Sequence, residues 1–176
     1  MSKNAFNKLN SKLSSYNVIN PKRMMPTSFL NKIINKSLNR YTLNSIAALY
    51  PEFTKPKFEQ QLLNNYIEMR NSINHKNKGT LANIVSYPLF EFISKNIDNK
   101  MKLPFKLDID AKSCEIVGAR LLRKDKLNPK PFNTWYQITV RFSDGGTGEQ
   151  IMVVERKEND KTAHNWHIAY VQQSSK

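Results

Sequence analysis

Acidic residues are missing from the first 51 positions of this 176-residue chain, although Lys3, Lys8, Lys12, Lys22, Arg23, Lys32, Lys36 and Arg40 all fall there. Cysteine is nearly absent: Cys114 stands alone, which excludes an internal disulfide framework and fits a reducing compartment. Long apolar runs are missing too. Ile46–Tyr50, Ile84–Val85 and Ile151–Val154 fall far below the roughly 20 residues that a membrane-spanning helix needs. The opening residues also lack the continuous apolar stretch of a secretory signal.

What the chain has in excess is positive charge. A net charge of +14 calls for a polyanionic partner: RNA, DNA or an anionic membrane surface. The first 51 residues supply +8 of it, and the other 125 hold all 14 acids against 20 cations. Two segments with different tasks follow from this, a basic arm over residues 1–53 and a domain over 54–176. The acid-free stretch fits either a mitochondrial import sequence or an arm that orders on RNA. We take it as a retained, RNA-bound arm. Inside it, Phe29, Ile33, Ile34, Leu38, Tyr41, Ile46 and Leu49 give the span from Ser28 to Tyr50 a helical pattern.

The domain opens with Thr54 as a helix cap and Pro56 in a first turn. Phe58, Leu62, Tyr66, Met69 and Ile73 then form an apolar stripe, widened by Leu63 and Ile67, and the residues from His75 to Gly79 stop it. A second helix is expected from Thr80, with Leu81, Ile84, Val85, Leu89, Phe92 and Ile93 on one face and Pro88 as a point of kinking or splitting. After Pro104 the period falls from 3.6 to 2. Strands are expected over Ser113–Arg123, Trp135–Phe142, Ile151–Lys157 and Trp166–Val171. Tyr136, Ile138, Val140 and Phe142 share one face, with Gln137, Thr139 and Arg141 on the other. Helices followed by strands imply an α+β fold, a curved antiparallel sheet of about four strands with the helices on its concave side.

Candidate sites for chemistry are few. His164 and His167 stand three apart, a spacing that sends strand side chains to opposite faces, so no metal site is expected. His75 sits among Asn and Lys and reads as a solvated residue. Cys114 has no base partner in view and reads as an ordinary thiol. Asp108 and Asp110, flanked by Lys106 and Lys112, read as local ion pairs rather than an acid–base dyad. The glycine-rich stretch Asp144–Gly148 lies between strands with no helix behind it, which makes it a hairpin turn and not a phosphate loop. No catalytic residue, cofactor, metal or small-molecule substrate is expected. Nucleic-acid contacts are expected from the eight cations of the arm and from the basic run that begins at Arg120, through Arg123, Lys124, Lys126 and Lys130, with Trp135 facing outward as a stacking residue.

The segments Leu81–Pro88, Gln137–Phe142, Val153–Lys157 and Trp166–Ile168 occur in an order that resembles the mitochondrial large-subunit ribosomal members of the Tim-forty-four-like domain family. The resemblance spans about Phe58 to Val171, and the link from Asp144 to Gln150 is tighter than that pattern has. It implies a cone-shaped fold like nuclear transport factor two. It also implies a non-enzymatic protein on the matrix side of mitochondria, bound to large-subunit rRNA and neighbouring ribosomal proteins near the tunnel exit. Contact with the inner-membrane surface or the insertion machinery belongs to the same implication. A translocase or ribosome-tethering subunit that is not integral to the ribosome is the alternative.

Overall fold

In the residues that the structure, a computed structural model, describes (29–123, 134–158 and 166–172), four helices precede four strands. The helices are α1 (Phe29–Leu49), α2 (Lys55–Asn74), α3 (Lys78–Ile84) and α4 (Tyr87–Asp98). The strands β1 (Ser113–Arg123), β2 (Thr134–Ser143), β3 (Glu149–Lys157) and β4 (His167–Val171) form one open antiparallel meander in chain order. The α+β reading holds.

One face of the sheet carries the core. Tyr136, Ile138, Val140 and Phe142 of β2 join Met152 and Val154 of β3 and Ile168 of β4. Phe58, Leu62, Tyr66 and Met69, the stripe of α2, are all buried in the same cluster. Tyr66 packs on Phe142 with ring centroids 4.8 Å apart, and Trp166 meets Phe58 edge-on at 5.1 Å. Burying such side chains contributes roughly 1.5–3 kcal/mol each, the main force holding the helices to the sheet.

The helix expected from Thr80 is two helices. Val85 is extended and bridges Ile168 in parallel, and Ser86 N–H donates to Ile168 O at 2.8 Å. Pro88, which would remove a hydrogen bond from a continuous helix, thereby falls in the first turn of α4, where it is tolerated. The break also resets the helical phase. Ile93 and Asn96 turn inward, whereas Phe92, expected on the apolar face, is 43% exposed.

Both sheet edges are partly covered. The α3–α4 junction covers β4, and the N–H groups flanking a bulge in β1 are taken by helix side chains: Ile116 N–H by Glu59 Oε1 at 3.3 Å, Ala119 N–H by Asn39 Oδ1 at 2.9 Å. Capping of this kind removes the free strand edge that invites aggregation. Asn39 belongs to α1, and Ile46 of the same helix is fully buried in the core. At its end Tyr50 lies under the guanidinium of the buried Arg156, whose Cζ stands 3.6 Å from the ring centroid. The boundary expected at residue 54 is therefore too late. From Asn39 on, α1 packs as part of the domain, because Asn39 and Ile46 have a sheet to bond to and bury against.

Candidate nucleic-acid interface

Lys32, Lys36 and Arg40 follow one another at four-residue intervals along α1, which places them on successive turns. Lys36 and Arg40 are exposed, and neither forms an ion pair among the described residues. Tyr41, directly after Arg40, is 67% exposed. The helix thus presents an exposed aromatic ring beside Lys36 and Arg40, cations with no ion pair among the described residues, a combination suited to binding phosphates and stacking a base. The four-residue spacing was visible in the sequence. Its meaning depended on learning that α1 is anchored.

Of the other expected contact residues, Lys3, Lys8, Lys12, Lys22, Arg23, Lys124, Lys126 and Lys130 lie outside the described residues, as does His164. Arg123 ends β1 opposite Thr134. Trp135 does not face solvent: it is only 5% exposed. Arg120 is held to the neighbouring strand. Its Nε donates to Gln137 Oε1 at 3.0 Å, its Nη2 donates to the same oxygen, and burial pulls its pKa below the ordinary guanidinium value.

That bond belongs to a row across the sheet face opposite the core. Arg120 pairs with Gln137, Gln137 with Glu155, and Glu155 with His167, one residue from each strand in direct register. Gln137 Nε2 donates to Glu155 Oε2 at 3.2 Å. Gln137 is 0% exposed, and burial pushes the Glu155 carboxyl up to about 7 despite that bond. The polar side of β2 is buried at Gln137 and Thr139. His167 is thus on this row and not among the core residues, so the inward face of β2 keeps only Tyr136 and its apolar neighbours.

The remaining sites resolve by their geometry. In the hairpin, Asp144 Oδ1 accepts Gly146 N–H at 2.7 Å and Gly148 N–H at 3.2 Å, and Gly145 takes φ 85°. The carboxylate fills the place an anion would take, and a Cβ at Gly148 would strike it. This confirms a turn. Asp110 does not pair with its neighbouring lysines: it lies 3.9 Å from Arg70 Nη1 on α2, because the linker runs alongside that helix. Cys114 is half-buried, and desolvation with Glu59 and Glu115 nearby pushes its thiol up to about 12, away from nucleophilic behaviour. His75 is exposed, its Nδ1 2.9 Å from Asn71 O. Among the described residues no three His, Cys, Asp or Glu side chains gather as a metal site, and no helix is long and apolar enough to cross a membrane.

Comparison with protein-family models and with curated proteins finds no match for this chain.

Proposed function

We propose that the chain is a non-catalytic structural protein of the mitochondrial large ribosomal subunit, held on rRNA by α1 and the basic segment before it. The observation that carries this reading is the cation-and-tyrosine surface of α1, exposed and unpaired yet fixed to the domain through Asn39 and Ile46. A helix so fixed has lost its conformational freedom before binding, which lowers the entropic cost of holding RNA. The segment preceding it continues the acid-free run back to Met1. The order of segments resembling the ribosomal members of the Tim-forty-four-like family supplies the compartment, the rRNA partner and the place near the tunnel exit. A tether not integral to the ribosome shares the domain but has no use for this basic surface.

Sedimentation of the tagged chain through gradients of mitochondrial lysate, with and without ribonuclease, tests the proposal. The chain is expected to travel with the large subunit and to return to the top after RNA digestion. Migration at the top of the gradient without ribonuclease, or ribonuclease-insensitive migration with a membrane complex, removes the ribosomal reading.

A further inference from the structure

Far along the sequence from the α1 surface, the C-terminal ends of α2 and α4 and the linker that follows α4 border two adjoining, solvent-open cavities of about 420 Å³ each. Ile73, Leu103, Phe105 and Lys106 line both. Ile97 and Met101 extend the apolar lining on one side and Leu107 on the other, and Met101 is 60% exposed. Around this floor stand Lys76, Lys100, Lys102 and Lys106, all exposed and none in an ion pair among the described residues. Arg70, which also lines the groove, is tied to Ile109 O at 3.1 Å and to Asp110. The carboxylate lining it is Asp108, in the cavity that shares Lys106 but is not lined by Lys76, Lys100 or Lys102.

Two of these lysines are placed by matching helix ends. Asn77 N–H bonds to Ser72 O at 2.8 Å and Lys76 N–H to Ile73 O at 3.3 Å; Met101 N–H bonds to Asn96 O at 2.8 Å and Lys100 N–H to Ile97 O at 3.2 Å. Each set is a Schellman ending, whose left-handed residue is usually glycine. Here it is lysine both times, with φ 56° at Lys76 and 54° at Lys100, the two non-glycine residues of positive φ among those described. Favourable interaction with the helix dipoles accounts for cations near these ends, but not for side chains at the two positions where the backbone favours having none.

We propose that this groove docks an acidic amphipathic segment of a partner protein, its apolar side chains entering the two cavities and its carboxylates meeting the four lysines. Charge complementarity selects the occupant, and shape refines it. A flat anionic bilayer would reach the rim lysines and leave the recessed Ile73, Leu103 and Phe105 uncovered. RNA would satisfy the lysines but gain nothing from an aliphatic floor, and Phe105 is buried at 6% exposure, unavailable for stacking. A helix whose apolar residues recur every three or four positions presents adjacent side chains to adjacent cavities, and Met101 can adapt its shape to them.

The test uses the full chain and a fluorescent amphipathic peptide of about 18 residues, long enough to form an isolated helix, with leucines on one stripe and glutamates elsewhere. Its competitors are a scrambled peptide of the same composition, an oligouridylate and phosphatidylglycerol vesicles. The decisive variant is Lys76→Gly with Lys100→Gly, since glycine suits both backbone positions and leaves the fold intact. The ordered peptide is expected to bind, the scrambled one more weakly, and the double variant to lose roughly tenfold in affinity with its melting temperature maintained. Met101→Ser, a change at an exposed side chain, is expected to weaken the ordered peptide more than the scrambled one. Equal binding of the two peptides, unchanged binding by the double variant, or displacement of the peptide by the oligouridylate or the vesicles alone overturns the proposal.

Discussion

Asn39 Oδ1 accepts the backbone N–H of Ala119 at 2.9 Å, so a residue of the acid-free N-terminal stretch caps the edge strand of the sheet. The bond spans 80 positions and ties the basic surface of α1 to the domain. Asn39→Ala leaves a partly buried strand N–H without its acceptor, which is expected to cost about 1–2 kcal/mol. Chemical denaturation of the purified chain measures it. A midpoint identical to wild type would show that water replaces Asn39 without loss.

The same packing divides the effects of truncation. Removing residues 1–28 is expected to leave the domain folded with weakened RNA binding. Removing residues 1–49 takes Ile46 out of the core and opens the β1 edge, and is expected to give an unstable or aggregating chain. Circular dichroism and gel filtration of the two fragments separate these outcomes, and comparable melting of both would return α1 to the status of an appendage.

Why the domain boundary was misplaced is a matter of two conflicting signals. The apolar pattern from Phe29 to Leu49 was legible and gave the helix nearly to the residue, but composition argued that a stretch free of acids stands apart. Packing decided, because Asn39 has its partner on a strand 80 residues away and Ile46 lies in the core of the domain, which a local reading cannot supply. The strands were legible for the opposite reason: Tyr136, Ile138, Val140 and Phe142 alternate, and period two is local. The alternation placed Gln137 and Thr139 on the face opposite the core but could not tell that both are buried there. Lys76 and Lys100 were silent, since nothing in a lysine announces a left-handed backbone.

RNA binding should be read through its salt dependence. Each phosphate contact contributes about 0.7–0.9 to the slope of log affinity against log salt. Lys36→Ala with Arg40→Ala is therefore expected to flatten the slope by about 1.4–1.8. Tyr41→Ala should weaken binding with little change of slope, because stacking releases no counterions. Filter binding to large-subunit rRNA fragments across a salt series measures both. A double variant with the wild-type slope would move the interface off α1.

The core makes a simpler demand. Leu62 is fully buried between α2 and the sheet, and Leu62→Ala is expected to destabilise by roughly 2–5 kcal/mol, depending on how far the cavity collapses. Thermal melts of the two proteins decide it; an unchanged midpoint would mean that the stripe of α2 does not face the strands.

Glu155 gives the last prediction. Burial raises its carboxyl to about 7 in the folded protein, against an ordinary value of 4.5 in the unfolded chain. Between these values the folded state holds the proton more tightly, so unfolding releases it and the stability from this group falls as pH rises. The contribution is fully present below about 4.5, is lost progressively up to about 7, and changes no further above that. Glu155→Gln keeps the shape, retains a carbonyl oxygen for Gln137 Nε2 and removes the ionisation. At pH 8 the variant should exceed the wild type in stability by an amount on the order of 3 kcal/mol, the size of the shift converted to energy. That advantage should shrink steadily to near zero by about pH 4.5. Denaturant titrations of both proteins at pH 5, 6, 7 and 8 follow the difference directly. An offset independent of pH would mean that Glu155 is already charged in the folded sheet at neutral pH, drawing its compensation from a cation and not from the neutral Gln137.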